Sequence, residues 1–122
     1  MPHLTLEYSA NLPAPADLPA LFAACHEALA RLEVSLDDCK SRAYRCDSYR
    51  VGSGAPERTF VHVTLAVLDR RPASFQREAG EQILRIVQEG FASGEVDCDI
   101  TVEVRAMRSD AYFKVRTARR AR

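Results

Sequence analysis

The hydrophobic pattern of the chain changes from a two-residue period to a helical period and back again. Residues 3–8 alternate apolar and polar side chains, which predicts a strand with one buried side. After a proline-containing loop, apolar side chains recur every three or four positions from Leu18 to about residue 33. This spacing predicts a helix, for which Asp17 is a suitable N-cap. Residues 39–50 alternate once more and predict a second strand.

The second half of the chain repeats this order after a loop that contains glycine and proline. Residues 59–68 are rich in β-branched side chains, which predicts a largely buried strand. A second amphipathic helix follows, with Ser74 as its predicted N-cap and Gly94 as its predicted end. Residues 99–105 alternate again and predict a fourth strand.

This order of elements predicts an α+β fold made of two fused β-α-β units. Right-handed crossovers would place both helices on one face of a four-stranded sheet. We expect the other face to be apolar and bare in a monomer, which is typical of contact between subunits in a closed homo-oligomer. The 122 residues predict one domain, with halves at about 2–50 and 58–107 and a tail at 108–122.

Composition excludes several classes of function. The chain has 17 basic and 17 acidic residues, and this balance argues against a nucleic-acid-binding surface. There is no apolar run of the length that a membrane span or a signal peptide requires, so we expect a cytoplasmic protein. The four cysteines have no metal-ligand spacing, so we expect no metal site and interpret them as small buried hydrophobic residues.

Pro2 is the most informative candidate for chemistry. An initiator methionine in front of so small a residue is generally removed, which would leave Pro2 with a free secondary amine at the start of a strand. The pKa of an α-amino group is about 7.7–8.0, and burial or cationic neighbours lower it. Such an amine could act as a general base near neutral pH. The alternative is a proline that only begins a strand, where its missing N–H does no harm.

Basic side chains near the predicted strand ends are the second group of candidates. Arginine binds a carboxylate through two parallel hydrogen bonds, so a cluster of these residues could hold a dicarboxylate or stabilise an enolate. For each residue taken alone, the alternative is a solvated surface charge. The residues concerned are Lys40, Arg42, Arg45, Arg70 and Arg71.

Six segments, in an order that covers almost the whole chain, carry a family resemblance. They read MPHLTLEYSANL, ADLPALF, KSRAYR, FVHVTL, REAGEQIL and YFK. Together they resemble the 5-carboxymethyl-2-hydroxymuconate isomerase family of the tautomerase superfamily. The resemblance implies a tautomerase-like fold, a homotrimer with pseudo-sixfold symmetry and proton transfer without a cofactor. It also implies a small carboxylate substrate, 5-carboxymethyl-2-hydroxymuconate, which is an intermediate of homoprotocatechuate (4-hydroxyphenylacetate) breakdown.

The same resemblance assigns roles to individual residues. The amino-terminal proline would take a proton from the 2-hydroxydienoate and return it to a carbon further along the conjugated system. Arginines would hold the carboxylates and stabilise the dienolate, and an apolar wall, which Phe60 or Phe113 could supply, would keep the amine neutral. The predicted catalytic residues are Pro2 and Arg42, and the predicted substrate-binding residues are Lys40, Arg71, Phe60 and Phe113.

One position departs from the family pattern. The family motif resembles Arg-Ser-Arg, whereas this chain reads Lys40-Ser41-Arg42. Lysine keeps the positive charge but loses the two-pronged geometry of arginine. Two alternatives therefore stand beside the main hypothesis. One is a tautomerase-fold enzyme for a different enol or unsaturated acid, and the other is a non-catalytic trimeric binding protein.

Overall fold

The structure, a computed structural model, describes residues 1–13, 15, 17–91 and 96–120, and its elements follow the predicted order. The strands are β1 (His3–Ser9), β2 (Lys40–Cys46), β3 (Thr59–Leu68) and β4 (Cys98–Met107), and the helices are α1 (Leu18–Arg31) and α2 (Ala73–Phe91). Two 3-10 turns, Leu36–Asp38 and Ser109–Ala111, precede β2 and follow β4. β3 has the predicted bounds. β2 ends at Cys46, four residues before the predicted limit of 50, because its pairing partner β1 ends at Ser9.

The four strands form one sheet in the order β2-β1-β3-β4. β1 and β2 are parallel, and so are β3 and β4, as each crossover through a helix requires. The two β-α-β units meet where β1 pairs with β3 in the antiparallel sense. The predicted α+β architecture is confirmed.

The core lies between the sheet and the two helices, on one face of the sheet. Every second residue of β3 is buried, and the alternate residues of β1 beside it are buried as well. Both helices contribute one apolar stripe to the same cluster, so the predicted placement of both helices on one face is confirmed. The most buried members of this cluster are Leu4, Leu6, Cys25, Leu29, Val61, Val63, Leu65, Ile83 and Val87.

The other face of the sheet, which we call the open face, is polar, so the expectation of an apolar face is wrong. The strand registers bring alternate residues of all four strands to it, including Thr5, Arg42, His62 and Glu103. The physical reason is the alternation itself. Because each strand gives its apolar side chains to the helix-covered face, its polar side chains lie on the opposite one.

The helix ends match the prediction in α1 and differ from it in α2. The Asp17 side chain caps α1 by accepting a hydrogen bond from the backbone N–H of Ala20 at 2.9 Å. α2 begins at Ala73, so Ser74 lies inside its first turn and the predicted N-cap is wrong. The ring of Pro72 fixes its φ angle near that of a helix. Its carbonyl accepts a hydrogen bond from the backbone N–H of Phe75, so the helix starts directly after Pro72. The predicted end at Gly94 falls outside the described residues. Within the part of the chain that is described, no helix is long and apolar enough to cross a membrane.

Replacing Leu65 with alanine is expected to lower the free energy of unfolding by about 2–5 kcal/mol, because it leaves a cavity in the core. Leu65 lies in the middle of β3 and is fully buried. Leu84→Ala is the matched control, because Leu84 is 38% exposed on α2 and its truncation should cost less than about 1 kcal/mol. Denaturant titration of both variants measures the difference. Equal losses would contradict the described core.

Candidate functional site

The ends of all four strands meet at one end of the sheet, which we call the Pro2 end. β1 begins there at His3 and β2 at Lys40, because these two strands are parallel. β3 and β4 run in the opposite direction, so they finish there, at Leu68 and Met107. Three connecting segments are therefore brought together with the start of the chain. They are residues 36–39, 69–72 and 108–114.

A pocket of about 300 Å³ opens at the Pro2 end. Pro2 itself is buried, and its carbonyl accepts a hydrogen bond from the backbone N–H of Lys40 at 3.1 Å, which fixes the start of β1 beside β2. The pocket is lined by Met1, Pro2, Val34, Asp38, Val67, Leu68, Arg70 and Arg71. Two guanidinium groups and one carboxylate thus share a small pocket with the first residues of the chain.

The α-amino group at this pocket is shifted toward its neutral form. Burial lowers the pKa of the Met1 amine below its usual value of 8.0. The Asp38 carboxylate opposes this shift, whereas the positive charges of Arg71 and Lys114 favour it. A larger fraction of this amine is therefore neutral, and available to accept a proton near neutral pH, than of an exposed amine.

Arg71 is held in place by the end of α1. Its guanidinium donates hydrogen bonds to the backbone carbonyls of Leu32 and Glu33, each at 3.3 Å, and lies over the ring of Phe75 at 5.0 Å from the ring centroid. These carbonyls follow the helix C-terminus, where a positive charge is favoured. The structure thus places the predicted residue beside Pro2, with its side chain already anchored to the backbone.

Lys40 and Arg42 lie on β2 beside the start of β1, outside the pocket that Pro2 lines. Both belong to the open face, where Lys40 pairs with His3 and Arg42 pairs with Thr5 across the strands. The Nη1 atom of Arg42 lies 3.3 Å from Nδ1 of His3. The Nζ atom of Lys40 donates to the backbone carbonyl of Asp38 at 3.3 Å. The predicted basic residues therefore approach the start of β1 from two sides of the sheet.

The C-terminal segment folds back over the Pro2 end and forms a second pocket of about 510 Å³. The hydroxyl of Tyr112 lies 2.9 Å from Nε2 of His3. The ammonium of Lys114 lies 3.1 Å from a carboxylate oxygen of Asp38. This ion pair is half exposed, so it contributes little to stability by itself. The second pocket is lined by Asp37, Asp38, Lys40, Tyr112, Phe113, Lys114, Val115 and Arg116.

The two predicted phenylalanines have different positions. Phe113 lines the second pocket but is 88% exposed. Phe60 lies on β3, six residues before Ala66, the partner of His3, which corresponds to roughly 20 Å along the strand. Its ring contacts that of Tyr49 at the opposite end of the sheet. One chain therefore does not bring Phe60 to Pro2, because β3 runs antiparallel to β1, and its predicted role stays a prediction.

Sequence reasoning overlooked four residues at this site. Asp38 precedes β2, and the parallel pairing of β1 with β2 was sufficient to predict it beside Pro2. His3 follows Pro2 directly and was treated only as part of a strand. Tyr112 and Lys114 had no periodic signal that would place the tail, because their contacts are made across more than seventy residues of sequence.

Metal-ligating residues do not cluster in the described part of the chain. No group of three or more His, Cys, Asp or Glu residues there is arranged to hold a metal ion. All four cysteines are free thiols. Cys25 is buried, and burial raises the pKa of its thiol to about 12, so it stays protonated. Cys39, Cys46 and Cys98 are only partly buried, so the expectation of buried cysteines holds for Cys25 alone.

Solved structures define the class of fold. A 5-carboxymethyl-2-hydroxymuconate isomerase from Deinococcus radiodurans R1 superimposes with a TM-score of 0.85 and 28% identity, over 95% of this chain and 90% of that one. A structure described as a fused 4-OT wild-type symmetric trimer has a TM-score of 0.67 and 15% identity, over 87% of this chain and 85% of that one. The predicted tautomerase-like fold is confirmed.

Sequence comparison narrows this class to one family. The model of the 5-carboxymethyl-2-hydroxymuconate isomerase family matches residues 2–120. The 5-carboxymethyl-2-hydroxymuconate Delta-isomerase of Escherichia coli is 32% identical over 94 residues, which cover 76% of this chain and 75% of that protein. The chain belongs to the 5-carboxymethyl-2-hydroxymuconate isomerase family, and it is an isomerase. The resemblance seen in the six sequence segments is confirmed.

Replacing Asp38 with asparagine is expected to lower the pKa of the α-amino group at the Pro2 end, because the carboxylate that stabilises the ammonium form is lost. The expectation holds for the amine of Met1 and, after its removal, for that of Pro2, since both line the same pocket. Asp37→Asn is the control, because it removes the same charge from a neighbouring carboxylate that does not act on this amine. The pH dependence of amine labelling measures both pKa values. An unchanged or raised pKa in Asp38→Asn would contradict the described electrostatics.

Proposed function

We propose that the protein converts 5-carboxymethyl-2-hydroxymuconate to its 2-oxo isomer, with the amine of Pro2 as general base after removal of Met1. The observation that supports this most directly is the position of Pro2. It is buried at the pocket where burial lowers the pKa of the Met1 amine, with Arg71 and Lys114 favouring this shift and Asp38 opposing it. An amine in its neutral form suits proton transfer near neutral pH.

The proposed reaction moves one proton within the substrate. The nitrogen of Pro2 accepts the proton of the 2-hydroxyl group, and electrons shift along the conjugated system to form a dienolate. The same nitrogen then donates the proton to a carbon of that system, which gives the 2-oxo isomer. Atoms and charge balance without any further reactant. Positive side chains around the pocket stabilise the dienolate while it exists.

The distribution of basic residues suits a substrate with several carboxylates. Arg70 and Arg71 line the pocket that contains Pro2. Lys40 and Arg42 approach from the open face. Carboxylates at different ends of an extended substrate could therefore be held at the same time, with Pro2 between them. Because Lys40 replaces the family's arginine, a related enol or unsaturated acid is the second candidate substrate.

We further propose that the protein is a homotrimer that acts in the breakdown of homoprotocatechuate. The fused 4-OT structures that share its fold are described as trimers. Several large apolar side chains are exposed in the single chain, and an assembly would cover them. The more exposed ones are Leu36, Tyr44, Phe113 and Val115. In such a trimer, Phe60 of one subunit would lie at the Pro2 end of a neighbouring subunit.

Replacing Pro2 with alanine is expected to lower kcat by at least about a hundredfold, because a flexible primary amine replaces the fixed secondary amine as general base. Pro13→Ala is the control, because Pro13 is an exposed loop residue and its replacement should leave kcat unchanged. Absorbance assays with 5-carboxymethyl-2-hydroxymuconate measure the rates. The intact mass of each protein shows whether Met1 has been removed.

Three results would contradict parts of this proposal. A Pro2→Ala variant with the parent's kcat would show that the fixed secondary amine of Pro2 is not required as the base. Full activity in protein that retains Met1 would show the same, because the nitrogen of Pro2 is then an amide. Turnover of 5-carboxymethyl-2-hydroxymuconate at only the background rate, together with rapid turnover of another enol, would favour the second candidate substrate.

The trimer proposal predicts that light scattering on the purified protein gives three times the mass of one chain. Tyr44→Arg is expected to shift the mass toward that of a monomer, because it adds a charge to a 55% exposed aromatic position on the open face. Glu27→Arg is the control, because Glu27 is exposed on α1, away from that face. A monomeric parent protein, or an equal effect of both substitutions, would contradict the proposal.

A further inference from the structure

Three side chains from three separate segments form a continuous chain of contacts at the Pro2 end. Tyr112 comes from the C-terminal segment, His3 from β1 and Arg42 from β2. The Tyr112 hydroxyl lies 2.9 Å from Nε2 of His3. On the other side of the same imidazole, Nη1 of Arg42 lies 3.3 Å from Nδ1. Both ring nitrogens of His3 are therefore engaged, one with the tail and one with a predicted catalytic residue.

The chemistry of arginine determines the direction of these hydrogen bonds. A guanidinium group can only donate, so Nδ1 of His3 must accept the bond from Arg42. In the neutral imidazole the proton is then on Nε2, from which it is donated to the oxygen of Tyr112. The tail hydroxyl thus stabilises the tautomer in which Nδ1 is free to hold the guanidinium.

The surroundings of His3 keep its imidazole neutral. Burial lowers the pKa of His3 below its usual value of 6.5, and the charges of Arg42, Lys40 and the α-amino group lower it further. The tail contributes the hydroxyl of Tyr112, and the neighbouring residue on β3 is the uncharged Ala66. An imidazolium would turn Nδ1 into a donor that faces the donor of Arg42, and this contact would be lost.

We propose that His3 and Tyr112 are positioning residues, which hold the guanidinium of Arg42 beside the start of β1 in the orientation that binds a substrate carboxylate. Arg42 is otherwise an exposed side chain on the open face, with many rotamers available to it. A fixed acceptor at Nδ1 removes that freedom before the substrate arrives. The inference rests on the proposed function, because it requires that Arg42 binds the substrate.

The test uses two variants of His3 that differ by one methylene group. In His3→Asn the side-chain amide oxygen can occupy the position of Nδ1, so the acceptor for Arg42 is kept. In His3→Gln the amide occupies the position of Nε2, so the contact with Tyr112 is kept and the acceptor for Arg42 is lost. We expect KM to change by less than about twofold in His3→Asn and to rise about tenfold in His3→Gln, the size of one charge-assisted hydrogen bond. In both variants kcat should change little.

Tyr112→Phe tests the other end of the contact chain. It removes the hydroxyl but keeps the ring, and we expect KM to rise about threefold because the tautomer of His3 is no longer fixed. Tyr8→Phe is the matched control, because Tyr8 packs against Phe91 in the core between the sheet and the helices. At acidic pH the KM of the parent should rise as His3 becomes protonated, and this rise should be absent from His3→Asn.

A measurement that needs no turnover separates this inference from the proposed function. The ¹⁵N chemical shifts of His3 in the labelled protein report which ring nitrogen carries the proton. We expect a proton on Nε2 at pH 7, and a proton on Nδ1 would overturn the inference. Equal KM values in His3→Asn and His3→Gln would also overturn it, because the acceptor at the position of Nδ1 would then have no effect on substrate binding. A parent that has the expected tautomer but does not turn over the substrate would contradict the proposed function alone.

Discussion

The antiparallel pairing of β1 with β3 determines where every candidate functional group of this protein lies. Each β-α-β unit has parallel strands, so its two strands begin at the same end of the sheet. Joining the units in opposite directions places the starts of β1 and β2 beside the finishes of β3 and β4. The beginning of the chain, the turn before α2 and the C-terminal segment consequently meet, although they are far apart in sequence.

Much of this architecture could be predicted from the sequence, because alternation and helical spacing report directly on burial. The β-branched run 59–68 gave the bounds of β3, and Asp17 identified the start of α1. Ser74 misled the prediction because Pro72 already provides the helical φ angle and a carbonyl acceptor. The polar open face could be predicted as well, because the polar residues of each alternating strand lie opposite its apolar ones.

The candidate site was less accessible to sequence reasoning, for a physical reason. Pro2, Lys40 and Arg71 were found because residue type and family resemblance mark them. The contact between Tyr112 and His3 depends on how an irregular tail turns after β4, and no periodic pattern describes that turn. The position of Asp38 could be predicted, because Asp38 precedes β2 and β2 is parallel to β1. That prediction requires both the directions of the strands and their order along the chain. The hydrophobic pattern of a chain therefore does not predict contacts between loops that are distant in sequence.

The opposite directions of the two units have a consequence for the symmetry of the molecule. The second unit has its own starting end, where β3 begins at Thr59 and β4 at Cys98, and a pocket of about 390 Å³ opens close by among Tyr49, Arg50 and Arg58. At that end the backbone nitrogen is an amide, because the chain arrives through the loop from β2. Because the second half is joined to the first through a peptide bond, the two halves differ in the backbone nitrogen at their starting ends. With the amine of Pro2 as the proposed base, each chain has one end with a basic nitrogen and one end without it.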